Sequence, residues 1–250
     1  MKVVAVIQAR MGSSRLPAKV LITLVDQPVI QWVYERASRI PGVHEVVVAT
    51  TTSVTDDALA RWCEAHSIPV YRGSEEDVLT RYLECAQKYD ADAVVRITAD
   101  CPLLDPIASG NVVKAFLEAQ PCDYASNTQP PTFPDGLDTE VISREALEIS
   151  GREASQVFDR EHVTAFVRGH PERFPSVSVV CEEDLSEHRW TLDEPRDLTF
   201  LSAVVERLRR EHASGSMTEI LNILAAEPGL SSLNAGIARN AGGARAAASH

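Results

Sequence analysis

Positive charge is in short supply: 24 Lys and Arg stand against 36 Asp and Glu, leaving a formal net charge of −12. A surface of that sign repels a phosphate backbone, which argues against a general nucleic-acid binder. Long apolar runs are also missing. No stretch approaches the about 18 consecutive apolar residues that would cross a bilayer. The opening MKVVAVIQAR is too short in its apolar part and lacks a small-residue cleavage site, so it reads as a first strand and not as a secretory signal. The five cysteines (63, 85, 101, 122 and 181) are odd in number and scattered, without a CxxC pair. A disulfide framework and a structural zinc site are thereby disfavoured, and reduced thiols in the cytoplasm are expected. Internal repeats, a Walker A loop and a GxGxxG fingerprint are all absent.

What is present is an ordinary globular composition over 250 residues, 44% of them hydrophobic. In the first half, short β-branched runs at 3–8, 43–50, 68–73 and 92–98 alternate with amphipathic patterns at 28–40, 55–66, 75–89 and 105–120. Such alternation predicts an α/β protein with a parallel, doubly wound sheet. The second half is less regular. Residues 122–143 hold several prolines and read as a long functional loop ending in a strand, DTEVIS. A helix is expected over 153–169, strands over 174–182 and 189–192, and helices over 195–212 and 216–226. One domain over 1–235 is expected, followed by a flexible Ala/Gly/Arg-rich tail over 236–250.

Against the acidic background, the loop after the first strand is an exception. QARMGSSRLPAK places Arg10, Arg15 and Lys19 around Gly12, Ser13 and Ser14. A loop at the carboxyl end of a parallel strand lies where open α/β sheets bind ligands. Successive N–H groups at a Gly-Ser-Ser turn can cradle an anion, and arginines grip phosphate oxygens through a planar fork. Two acids fall at comparable strand ends: Asp100 in VVRITADCPLLDP and Asp193 in RWTLDEPRDL. A cationic loop and carboxylates sharing one crevice fit a nucleoside triphosphate with Mg²⁺, although either aspartate alone could be a helix cap.

Taken in order, IQARMGSSRLPAKVL, RITADCPLLDP, FPDGLDTEV and RWTLDEPRDL resemble the cytidylyltransferases of acidic sugars, the 3-deoxy-manno-octulosonate and acylneuraminate enzymes, and most of all the SpsF-like branch of spore-coat polysaccharide biosynthesis. The resemblance implies a Rossmann-like nucleotide-diphospho-sugar transferase fold, three layers αβα, with a mostly parallel mixed sheet of about seven strands. It implies transfer of CMP from CTP to a sugar or sugar-like hydroxyl, with Mg²⁺, release of pyrophosphate, and a homodimer. By similarity, Arg10, Ser13, Arg15 and Lys19 hold the triphosphate, with Arg10, Arg15, Lys19 and Asp100 as the catalytic set. Asp100 and Asp193 are the metal ligands. Gln8, Ala9, Met11, Gly12, Thr50, Arg96 and Ala99 complete the nucleotide site. Arg72, Gly73, Ser74 and Asp77 have two readings: a loop beside the base, or a helix start in which Ser74 is the cap. Tyr124, Asn127, Asp135, Asp138, Glu140, His162 and Arg189 are candidates for the acceptor side, and the acidity of that set argues against an acceptor gripped by its carboxylate. Cys101 reads as a packed thiol, since the chemistry needs no covalent intermediate. One departure stands out: Ala18 replaces the glycine usual in the family's LPGK, which matters if that position has positive φ. The alternatives are a same-fold sugar-phosphate nucleotidyltransferase or glycosyltransferase, or a nucleotide-binding module without catalysis.

Overall fold

Runs of Val and Ile too apolar for a solvated face form the middle of a seven-stranded sheet in the computed structural model, which describes residues 1–237 and 239. Strand β1 (Val3–Gln8) is buried on both faces, as an interior parallel strand requires. Two-residue strands β2 (Thr23–Leu24) and β3 (Gln27–Pro28) form a hairpin outside the main sheet. The remaining strands are β4 (Glu45–Thr51), β5 (Val70–Gly73), β6 (Ala93–Thr98), β7 (Tyr124–Ser126), β8 (Glu140–Ser143) and β9 (Ser176–Ser178). The sheet order is β5-β4-β1-β6-β8-β7-β9. Only β8 runs against its neighbours; the ladders β1–β4, β1–β6, β4–β5 and β7–β9 are parallel.

Helices α1 (Val29–Ala37), α2 (Asp57–Ala65) and α4 (Pro106–Glu118) cover one face of the sheet over Val3, Ala5, Ile7 and Val95. Helices α3 (Val78–Lys88), α5 (Arg144–Glu153), α6 (Val157–Glu161) and α7 (Ala165–Gly169) lie on the other side, where Leu79, Tyr82, Leu147 and Phe166 pack with Val4, Val6 and Val94. This is the three-layer arrangement. Helices α8 (Pro195–Arg210) and α9 (Met217–Ala226) build a further apolar cluster with Trp32, Leu103, Phe133 and Trp190.

From β1 the chain moves to β4 and β5, then returns across β1 to β6. The reversal opens a crevice at the carboxyl ends of β1 and β6, between the loops that follow them. Because β8 is antiparallel and pairs Glu140 with Arg96, its entry segment reaches that same edge.

The second half departs from expectation in three places. Residues 153–169 are not one helix: α5 ends at Glu153, and α6 and α7 follow as separate five-residue turns, with Val163 at φ 54° between them. A β-branched residue there cannot continue a right-handed helix. Helix α5 itself begins at Arg144, capped by the Ser143 hydroxyl, which accepts from Ala146 N. Residues 189–192 form no strand but a single parallel bridge between Arg189 and Asp135. Of the tail expected over 236–250, residues 238 and 240–250 lie outside those described.

Candidate active site

The loop after β1 is held by a carboxylate from the neighbouring crossover. Met11 N donates to Asp56 Oδ1 at 2.7 Å, while Asp56 Oδ2 accepts from Thr50 Oγ1 at 3.0 Å and from Thr51 N and Oγ1 at 3.2 and 2.6 Å. Burial raises the pKa of this carboxyl, but the hydrogen bonds from Thr51, Met11 and Thr50 outweigh it and keep Asp56 below its ordinary value. The Ala18 and Ser13 amides both turn back to Met11 O at 3.0 Å, closing the loop on itself. The N–H groups of Gly12, Ser14 and Arg15 make no hydrogen bond among the described residues. Gly12 and Ser14 are exposed, and a Cβ on Gly12 would meet nothing within 4 Å, so the cradle is open to a ligand.

Ala18 adopts φ 58° and ψ 21°, so the position does take the left-handed conformation that glycine accepts most readily. This turn launches one 3₁₀ turn, Lys19–Leu21, and directs Lys19 inward. Lys19 Nζ donates to Asp100 Oδ2 at 2.7 Å, Asp193 Oδ1 at 2.8 Å and the Leu192 carbonyl at 2.9 Å. Burial favours the neutral amine, yet the two carboxylates prevail and Lys19 stays above its ordinary pKa. Burial likewise raises Asp100, but Lys19 overcomes it and holds the carboxyl low.

Asp193 is gripped from both sides. Arg15 Nη2 lies 3.0 Å from its Oδ1, and Arg189 Nη2 donates to its Oδ2 at 3.1 Å. Behind it, Arg189 also pairs with Asp135 at 3.1 Å and with the fully buried Asp197 through Nε at 2.9 Å. Asp197 Oδ2 in turn accepts the Asp193 and Glu194 amides at 2.9 Å, and Asn234 Nδ2 donates to Asp197 Oδ1 at 3.1 Å and to the Arg189 carbonyl at 3.0 Å. The Asp100 and Asp193 segments are joined directly: Leu192 N donates to the Asp100 carbonyl at 2.8 Å.

These groups face a cleft of about 740 Å³. Its walls include Gln8, Arg10, Arg15, Lys19, Asp100 and Asp193, together with Phe158 and Glu161 of α6 and His162 just after that helix. Arg10 is exposed and has no carboxylate partner among the described residues. A basic loop with free amides and two acids in one cleft is the equipment of nucleotidyl transfer. The family model for cytidylyltransferases matches residues 4–228. The chain belongs to the cytidylyltransferase family. It is therefore a nucleotidyltransferase. Over 230 residues it is 29% identical to the spore coat polysaccharide biosynthesis protein SpsF of Bacillus subtilis, covering 89% of this chain and 94% of SpsF. It is 39% identical over 105 residues to the 3-deoxy-manno-octulosonate cytidylyltransferase of Escherichia coli, and the match spans only 42% of either chain. A cytidylyltransferase structure from Leptospira borgpetersenii serovar Hardjo-bovis superposes with a TM-score of 0.88 at 31% identity, covering 95% of this chain and 99% of the other.

In this cytidylyltransferase, Gln8, Ala9, Arg10, Gly12, Ser13, Arg15, Lys19, Ala99, Asp100, His162 and Asp193 all line the one cleft. Met11 supports it through Asp56, and Thr50 through the same carboxylate. Others are occupied structurally. Arg72 donates to the Thr51 and Ser53 carbonyls and pairs with Asp57 at 2.7 Å. Ser74 Oγ accepts from Asp77 N, and the cap of α3 is Asp77 itself, which accepts from Thr80 N and pairs with Arg160. Gly73 packs against Tyr71 and Arg81. Asn127 ties the 127–139 loop, accepting from Thr139 N and donating to Leu137 O at 2.8 Å each. Glu140 accepts from Arg96 at 2.6 Å, Tyr124 at 2.5 Å and Thr164 at 2.7 Å. Burial opposes ionisation of Glu140, but Arg96, Tyr124 and Thr164 hold it low. Asp138 pairs with Arg239, and burial leaves its pKa pushed up to about 6. Thr98, Val157, Phe158 and Glu161 also line the cleft and were not anticipated. Phe158 carried a signal: it is a bulky apolar residue next to charged ones, with His162 four residues on, and the two rings meet at 4.3 Å.

Proposed function

We propose that the chain is a Mg²⁺-dependent cytidylyltransferase that transfers CMP from CTP to a hydroxyl of a sugar-like acceptor, releasing pyrophosphate. The observation that carries this reading is the convergence of Asp100 and Asp193, from segments distant in sequence, on Lys19 of the basic loop. Two carboxylates and a carbonyl meeting at one point are hard oxygen donors of the kind Mg²⁺ takes. Among the described residues no group of three or more His, Cys, Asp or Glu gathers at one point. That suits an ion that draws its other ligands from phosphate and water. When bound, Mg²⁺ would offset phosphate charge and favour ionisation of the attacking hydroxyl.

The chain's own residues do the rest. The free amides after Gly12, with Arg10 and Arg15, orient the β- and γ-phosphates and stabilise charge as pyrophosphate leaves. The acceptor oxygen attacks the α-phosphorus in line; a new P–O bond forms, the bond to the bridging oxygen of pyrophosphate breaks, and the hydroxyl proton departs to solvent. Positioning supplies most of the rate.

On the acceptor side the nearby cations are matched: Arg96 by Glu140, Arg189 by three aspartates, Arg239 by Asp138. A neutral or amino sugar fits this lining better than a sugar acid. SpsF, by its name, serves polysaccharide biosynthesis, and the same pathway class is proposed here, in a cytoplasmic homodimer. The test is pyrophosphate release with each of the four NTPs, Mg²⁺ and a panel of neutral, amino and acidic sugars. CTP alone should support release. Release with GTP but not CTP would sink the base assignment, and Asp100→Ala should abolish turnover without unfolding the chain.

A further inference from the structure

Lys19 is usually thought of as a phosphate ligand in a loop of this kind, yet here its ammonium has no donor left for a phosphate. Its three N–H groups meet three acceptors, Asp100 Oδ2, Asp193 Oδ1 and the Leu192 carbonyl, all within 2.9 Å. A divalent cation taking those same carboxylate oxygens needs the place Nζ holds, and two cations cannot share it. Resting on the metal reading above, we propose that Lys19 is an exchangeable counter-ion: it occupies the metal position in the nucleotide-free chain and gives it up when Mg²⁺ and the triphosphate arrive together.

The surroundings determine which part moves. Asp193 is fixed by Arg15 at 3.0 Å and by Arg189 at 3.1 Å, and its backbone amide is held by buried Asp197. The Asp100 backbone is fixed to the Asp193 segment by Leu192 N at 2.8 Å and Thr191 Oγ1 at 3.3 Å. The acids are therefore a rigid pair, whereas Lys19 hangs from a flexible four-carbon stem. The cleft it already borders is lined by Arg10, Gly12, Ser13 and Arg15. Three cationic side chains, Arg10, Arg15 and Lys19, would crowd there without an anion, so the lysine leaves its aspartates only when phosphate charge is present to receive it. Conversely, metal alone must displace a doubly paired ammonium with nowhere favourable to go. Metal and nucleotide then bind with positive coupling, each weak without the other.

The test is Mn²⁺ titration of the full chain, followed by electron paramagnetic resonance, with and without CTP. In the unaltered chain, nucleotide-free Mn²⁺ binding should be weak. In Lys19→Met it should tighten at least tenfold, since the two carboxylates lose their internal partner, while CTP binding weakens. Lys19→Gln, checked by circular dichroism, gives the same comparison should Lys19→Met fail to fold. Nucleotide-free Mn²⁺ affinity no greater in these variants than in the unaltered chain would overturn the exchange, and Mn²⁺ binding in the presence of CTP would still uphold the metal pair. Absence of Mn²⁺ binding in every state, with Asp100→Asn indistinguishable from the unaltered chain, would remove the metal reading and the exchange with it.

Discussion

A single methyl group at position 18 sits in the most demanding backbone conformation of the phosphate loop. At φ 58° an L-residue carries a steric penalty of about 1–2 kcal/mol, partly balanced by the entropy glycine loses on folding. Ala18→Gly should therefore stabilise the chain by about 0.5–1 kcal/mol, read from denaturant midpoints, with nucleotide affinity retained. A loss of stability would show that the methyl group makes favourable contacts that outweigh the turn. Asp138 supplies a pH-dependent counterpart. Its pKa is pushed up to about 6, first by burial and further by Asp135 and Glu140, with Arg239 opposing. For an acid raised in the folded state, stability is fully present below the ordinary value of about 4 and declines as pH rises through 6. Asp138→Asn does not titrate. The melting temperature of the variant minus that of the unaltered chain should become more positive from pH 4 to 6 and level off above it; a flat difference would contradict the assignment.

Among elements, the β1 loop and the start of α2 act as one piece through Asp56. Asp56→Asn replaces one acceptor by a donor facing the Met11 amide or the Thr50 and Thr51 hydroxyls. It should cost about 1–3 kcal/mol of stability and raise the KM for CTP more than it lowers kcat. A kcat loss with KM unchanged would place Asp56 outside loop positioning. Nothing in TTTSVTDD marks Asp56 over Asp57, because the hydrogen bond to Met11 spans 45 residues. The first half was legible because buried parallel strands write themselves as β-branched runs and their helices as alternating apolar faces. The basic loop and Asp100 were legible for the same reason: strand ends in a parallel sheet share one edge. Asp193 follows no strand and reaches that edge through the bond from Leu192 N to the Asp100 carbonyl. The 153–169 region was not. Its apolar periodicity runs through a break that Val163, buried with a positive φ, imposes through tertiary packing. Breaking there turns α6 so that Phe158 and Glu161 face the cleft. Arg189 was read as an acceptor residue from its place before Asp193. Its partners at 135 and 197 exist only once loop and helix are brought together.

At the scale of the molecule, charge is distributed unevenly: a chain of net charge −12 gathers Arg10, Arg15 and Lys19 along one cleft, where they favour an anionic ligand. The C-terminal region contributes to that cleft without lining it. Asn234, buried, holds both the Arg189 carbonyl and Asp197, which in turn set Asp193. Asn234→Ala should cost about 1–3 kcal/mol and weaken Mn²⁺ binding in the presence of CTP, although no atom of Asn234 reaches the cleft. Unchanged metal affinity would show that Arg189 and Asp197 hold Asp193 unaided.

The same Asn234 anchor has a consequence for synthesis. The phosphate loop can take shape once the first crossover has left the ribosome, but the second carboxylate receives its full support only after residue 234 has emerged. A nascent chain therefore carries a half-built pocket until Asn234 has emerged, and full support for the second carboxylate arrives only with that residue.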